Sequence, residues 1–317
     1  MLRFVFAMAW LVFATPALAQ QQMADPDWVP RVGTPTWPAE GPVVVIDEAH
    51  ANFHTAGGRY APFADLLRAD GYRVAAGTSR FTDASLASVS ILVIANAGSP
   101  NAGDAVEPAF TEDETAAIER WVRNGGSLFL IADHAPFGLV AQSLAARFGV
   151  AMGTGWAFER APDGPGLTAN IDYSRADGDL GSHPTTEGVE RVRSFGGQSL
   201  TGPAGSTVLM RLADEAWEAP DRAELTQADA ALRATGDGSP NLDGLAVPVG
   251  GRAQALAFEH GRGRVVVFGE AGMFSAQVVR FPPEQAREDI RFGMNVPGLH
   301  NDRLALGVMR WLSRAGE

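Results

Sequence analysis

Four runs of apolar, mostly β-branched residues constrain this chain more than any other feature: Val43-Val44-Val45-Ile46, Ile91-Leu92-Val93-Ile94, Leu128-Phe129-Leu130-Ile131 and Val265-Val266-Val267-Phe268. None alternates with polar residues, as a strand with one wet face would. Runs of this kind fit strands buried on both faces, which are found in parallel sheets covered by helices. The intervening segments supply the covers. Pro62 sits in the first turn of a helix carrying Phe63, Leu66 and Leu67 and stopped by Gly71, and Tyr72–Ala75 makes a short further strand. Thr111–Glu114 is a capping box that opens a helix with Trp121 and Val122 turned inward, closed by Gly125-Gly126. Pro136 opens another, with Val140, Leu144 and Phe148 at spacing four and Gly149 as its stop. A last helix, Asp302–Arg314, places Leu304, Val308, Trp311 and Leu312 on one face. Alternation of strand and helix predicts an α/β fold with a right-handed, doubly wound parallel sheet.

Three stretches fall outside that rhythm. Met1–Arg3 followed by the apolar Phe4–Thr15 and by Ala17-Leu18-Ala19 reads as a secretory signal peptide, residues 1–19. The protein is then expected in a bacterial periplasm or secreted, with no membrane insertion after cleavage. Residues 20–40, rich in Pro and polar side chains, read as an irregular arm. Residues from about 151 to 254 are dense in Gly, Pro, Asp and Thr, with short apolar stretches at Thr207–Met210 and Leu245–Val249. They read as a β-rich, loop-rich insertion within one domain spanning 41–317. The α/β pattern resumes at Ala255–Phe258, and His260-Gly261-Arg262-Gly263 resembles a hairpin turn.

Composition removes several chemistries. The chain has no cysteine and no lysine, so thiol nucleophiles, disulfides, Cys-bound metal, Schiff bases and a Walker-type lysine are excluded. A net charge of −12 argues against a nucleic-acid partner. No GxGxxG follows the first strand, so no nucleotide cofactor is expected.

In open α/β sheets, ligands bind beyond the carboxyl ends of the strands. Those ends here carry Asp47-Glu48, Asn96, Asp133-His134 and Glu270, and the first loop adds His50, Asn52 and His54. Some Asp and Asn at strand ends serve only as caps. Three of six histidines reaching such ends is less easily ascribed to capping. Imidazoles with carboxylates suit zinc, iron or manganese, which activate water for hydrolysis. In that version His50, His54 and His134 are ligands, Asp133 ligates or orients a histidine, and Glu270 or Glu48 takes the proton. A metal-free version uses His50 or His134 as general base with Asp47 or Glu270 as acid or orienter. Asn52, Asn96, His183 and Gln277 are candidate contacts to a small polar ligand. Ser182-His183-Pro184 lies in a Gly- and Asp-rich loop, and Gly197–Thr201 lacks the second glycine of a nucleophile elbow.

The segments VVVIDEAHANFHTAGGRY, ILVIANA, FTEDETAAIERWVRNGGSLFLIADHAPFG, GRGRVVVFGEAGMFSAQ and HNDRLALGVMRWL together resemble the class I glutamine amidotransferase-like superfamily, especially its exported branch akin to trehalose-utilisation-type proteins. The resemblance covers roughly 41–150 and 255–314. It implies a flavodoxin-like sheet with its site at the strand carboxyl ends. It does not supply the activity, because the family's cysteine nucleophile has no counterpart; Asp133-His134-Ala135-Pro136-Phe137-Gly138 stands at that place. Two functions follow as expectations. One is an exported hydrolase using a His/Asp cluster, with or without metal, on a sugar or cell-wall fragment. The other is a non-catalytic module recognising a carbohydrate or a partner protein.

Overall fold

A computed structural model describes residues 21–98, 106–236, 238–281 and 288–317. The segment read as a signal peptide lies outside the described residues. Nine strands build the main sheet: β1 Val43–Asp47, β2 Arg73–Gly77, β3 Ile91–Ala95, β4 Ser127–Ile131, β5 Ala151–Met152, β6 Leu200–Thr201, β7 Thr207–Arg211, β8 Ala253–His260 and β9 Gly263–Phe268. The principal helices are α1 Ala61–Ala69, α2 Glu112–Arg123, α3 Phe137–Arg147, α4 Arg222–Thr235 and α5 Asn301–Leu312.

The sheet order begins β2-β1-β3-β4-β9, and these five strands are parallel. This is the order of a flavodoxin-like doubly wound sheet, with its switch between β1 and β3. From β9 onward the sheet turns antiparallel: β9 pairs β8 through a tight turn at Gly261-Arg262, and β8 pairs both β6 and β7. The fold is therefore mixed α/β, with a large, mostly parallel sheet and smaller antiparallel sheets beside it.

Both faces of the parallel half are dry. One face packs Val44, Ile46, Val93, Phe129 and Val266 under Phe63 and Leu66 of α1 and Leu304 and Val308 of α5. The other packs Leu92, Ile94, Leu128, Leu130 and Val267 under Ile118 and Val122 of α2 and Leu144 of α3. Alternate residues of each apolar run thus serve opposite layers. Each such side chain contributes roughly 1.5–3 kcal/mol on burial.

The insertion holds more than short strands. Strands Trp156–Arg160, Leu167–Thr168, Ala216–Ala219 and Val247–Pro248 form a separate antiparallel sheet against α4, around Phe158, Ala219, Ala228 and Leu232. Helix α4 starts at Asp221, whose carboxylate accepts the Ala223 and Glu224 N–H groups. The amino-terminal arm is not wholly irregular either. Gln21–Ala24 pairs antiparallel with Ala276–Arg280, which in turn pairs with Ile290–Gly293.

Candidate functional site at the strand carboxyl ends

Register decides which polar residues meet. Ile131 of β4 is opposite Ala95 of β3 and Phe268 of β9. One residue past Ala95 is Asn96, and two past Ile131 and Phe268 are Asp133 and Glu270, on adjacent strands. Asn96 takes the left-handed conformation, φ 48°, and its Oδ1 accepts the Asp133 N–H at 2.8 Å.

Asp133 and Glu270 form a buried like-charge pair. Glu270 is fully buried and accepts the Gly272 N–H at 2.5 Å and the Met273 N–H at 2.8 Å. Burial, and then the charge of Asp133, push its pKa well above the usual carboxylate range against those N–H groups. Burial also raises Asp133, opposed by the His134 charge, by hydrogen bonding from the His134 N–H and by the nearby Asn96 amide. Two neighbouring carboxyls that both resist ionisation hold a proton more tightly than either would alone. Tyr60 lies close to both: its own pKa is raised by burial and then by Glu270 and Asp133, and its hydroxyl donates to the Ala271 carbonyl at 2.9 Å.

His134 is half-buried, and its ring lies face to face with Trp156 at 3.3 Å between centroids. Nδ1 is 2.8 Å from the Ala135 carbonyl and must donate to it, which leaves Nε2 of the neutral ring as an acceptor. His54 is buried against Tyr60, with ring centroids 4.6 Å apart, and its Nδ1 has no hydrogen-bond partner. Burial, then the Arg59 charge, lower its pKa to about 3, so it is neutral at physiological pH.

Two further atoms here are buried without partners. Asn96 Nδ2 lies near enough to Asp133 to favour its charged form, yet it makes no hydrogen bond of ordinary geometry. Gln198 donates Nε2 to the Ala132 carbonyl at 2.8 Å and leaves Oε1 unpaired. Space around that amide is tight, since a Cβ on Gly138 would lie 2.0 Å from Oε1.

The remaining candidates have other work. His50 is clamped: Nδ1 is 2.9 Å from both Asp47 oxygens and Nε2 is 2.9 Å from Glu114 Oε1. Phe81 and Phe110 pack on its ring at 4.7 and 4.8 Å. Burial lowers its proton affinity, but Asp47 and Glu114 overcome this, and the His50 pKa is raised. Glu114, despite burial, is brought down to about 2 by His50 and Thr111. Both His50 nitrogens are thus turned to carboxylates in this arrangement and not to His54 or His134. Among the described residues no three His, Cys, Asp or Glu side chains are grouped to hold one ion.

Glu48 accepts the Ala56 N–H at 2.8 Å, and Asn52 Oδ1 accepts the His50 N–H at 3.2 Å; both fasten the first loop. His183 caps the turn Pro184–Thr186 and packs against Trp311 at 4.8 Å. It feels the charge of Arg264, at the start of β9. Glu270 lies six positions after Arg264, two beyond the end of that strand and about 20 Å away, so His183 belongs to the opposite end of the sheet. Gln277 is buried and donates Nε2 to Ser275 Oγ at 2.8 Å within the small three-stranded sheet. Local sequence reasoning missed Tyr60, Glu114, Trp156 and Gln198. Only Glu114 carried a signal, as the N3 residue of the capping box.

No known family profile matches the chain, and no curated protein matches it in sequence. Among solved structures it is similar to the mmIFT52 N-terminal domain, with 11% identity and a TM-score of 0.58, covering 87% of this chain and 99% of that one. Structural neighbours also include ThuA-like proteins from Bacteroides uniformis (13% identity, TM-score 0.42, 90% of this chain and 94% of that one) and Parabacteroides merdae (13%, 0.43, 86% and 90%). At these identities the likeness is one of fold alone.

Proposed function

We propose that this chain is a recognition module for a small, uncharged, hydroxyl-bearing molecule, a sugar or a comparable polyol, at the carboxyl ends of β3, β4 and β9. One observation carries the reading: three buried polar atoms without partners, His54 Nδ1, Asn96 Nδ2 and Gln198 Oε1, lie around a buried carboxyl pair. Each unpaired buried polar atom costs about 1–3 kcal/mol. A ligand that supplies the missing partners recovers that cost on binding. The group offers donors and acceptors together: the Asn96 amide, the His134 Nε2 acceptor, and a carboxyl pair that tends to keep a proton. Hydroxyls satisfy such a mixed set, whereas an anion would meet Asp133.

A second reading, acid–base hydrolysis of such a ligand, rests on the tautomer of His134, whose Nε2 acceptor would serve as general base. The signal-like residues 1–19 support a site of action outside the cytoplasm for either activity. The test is calorimetric titration of the full chain with neutral mono- and disaccharides, beside His134→Ala. Saturable binding that weakens roughly tenfold or more in the variant, the effect of one lost buried hydrogen bond, supports recognition. Failure of every sugar to bind, or equal binding by both proteins, refutes it. Turnover of a bound glycoside that vanishes in His134→Ala would favour the hydrolytic reading.

A further inference from the structure

At the amino end of the sheet, about 20 Å along β9 from Glu270, lies a cavity of about 790 Å³ that the reading above leaves unused. Its lining includes Arg31, Arg264, Arg303, Arg310, Trp311 and Glu187. Four guanidinium groups around one cavity are unexpected in a chain of net charge −12. Two of them are neutralised in place. Arg310 grips the buried Asp70 with Nε at 3.1 Å and Nη2 at 2.8 Å. Arg264, its side chain only 7% exposed, donates to the Trp311 carbonyl and to Glu317. Its buried Nε makes no hydrogen bond, the Glu259 carboxylate being 3.8 Å away.

The other two are not neutralised. Among the described residues, Arg31 and Arg303 are exposed and form no side-chain ion pair or hydrogen bond. Against the four arginines the lining sets Glu187 and Glu317, the latter already paired with Arg264, so it keeps a positive excess. Arginine forks match the planar oxygens of carboxylate and the face of phosphate, and with no lysine in the chain they are its only permanent cations. Trp311, with Arg264 4.9 Å from its ring centroid, adds an aromatic wall.

We propose that this cavity binds an oxyanion, phosphate or carboxylate, carried on a small body with a flat apolar face. Arg31 and Arg303 supply the free donors, Arg310 offers its remaining N–H groups, and Trp311 takes the apolar face. This ligand is anionic, whereas the one assigned to the carboxyl ends is uncharged, so the two regions are separable by experiment.

The test is isothermal titration of the full chain with inorganic phosphate, phenyl phosphate and benzoate, each at low and high salt. The variants are Arg31→Ala/Arg303→Ala, at exposed positions that hold nothing else in place, and His134→Ala. The inference expects phenyl phosphate or benzoate to bind more tightly than inorganic phosphate, with salt weakening each. Loss of both free arginines should cost roughly tenfold or more, in line with charge-assisted hydrogen bonds. His134→Ala should leave the affinity unchanged. Preference for phenyl phosphate or for benzoate tells which oxyanion the arginines favour. Absence of binding by all three probes, unchanged affinity in the double variant, or loss confined to His134→Ala overturns it.

Discussion

Glu114→Gln is the substitution that most sharply tests whether His50 is a structural clamp. Glu114 Oε1 accepts from His50 Nε2 at 2.9 Å and from the Phe81 N–H at 3.3 Å. Oε2 accepts from the Thr111 N–H at 3.0 Å, Thr111 Oγ1 at 2.8 Å and Arg80 Nη1 at 3.1 Å. Every partner is a donor, so a Gln amide of the same shape must turn its NH₂ toward one group of them. The fall of the Glu114 pKa from 4.5 to about 2, at roughly 1.4 kcal/mol for each step of one in pKa, amounts to about 3 kcal/mol. Breaking one side of a buried ion pair costs about the same, roughly 3–5 kcal/mol.

The pH dependence has a definite sign. Glu114 is depressed, so its contribution is complete above about 4.5 and lost as pH falls toward 2. His50 is raised above 6.5, so its contribution is complete below that value and lost as pH rises through its folded pKa. The clamp is therefore strongest between those limits. Urea unfolding across this window should show Glu114→Gln losing about 3 kcal/mol at mildly acidic pH, and less as pH rises through the His50 titration. A loss within about 0.5 kcal/mol of zero, as for an ordinary surface change, would refute the reasoning.

Other expectations follow from the same contacts. Asp133→Asn removes the like-charge repulsion on Glu270, whose raised pKa makes the wild type less stable as pH climbs above the usual carboxylate range; denaturant titration should find the variant the more stable of the two in mild alkali. Gly138→Ala places a methyl 2.0 Å from Gln198 Oε1 and 2.5 Å from the Gly153 carbonyl, and thermal unfolding should report a loss of about 1–3 kcal/mol from overpacking. Elemental analysis of protein purified without a His tag should find no stoichiometric zinc, iron or manganese, because Asp47 and Glu114 occupy both nitrogens of His50; one metal per chain that disappeared in His50→Ala would restore the ligand trio.

The parallel half of the fold could be read from local sequence because each buried strand has an unbroken apolar run of four residues and three of its helices carry their own stop signals. Val43–Ile46 became Val43–Asp47, the Thr111–Glu114 capping box is present with both of its bonds, and the turn at Gly261-Arg262 joins β8 to β9. The insertion was harder. Its density of Gly and Pro masked α4, although Asp221 as cap and an Ala-rich run up to Gly236 were there to be read. For the site, the strand ends gave the location but not the partners. Glu114 lies 64 residues from His50, and only the packing of α2 against the sheet brings them together. The same limit hid the displacement of His183, whose place is set by Trp311 and Arg264.

The claim on which the rest depends is that Asp133 and Glu270 form a buried pair that keeps a proton beyond the range of ordinary carboxylates. Carbon-13 NMR of side-chain carboxyls, titrated in wild type, Asp133→Asn and Glu270→Gln, tests it directly. The account predicts one carboxyl resonance still protonated well above pH 4.5, the usual value for Glu, assigned by its disappearance in Glu270→Gln and shifted downward in titration by Asp133→Asn. Full ionisation of both groups by the ordinary carboxylate range, with no coupling between the two variants, would contradict it.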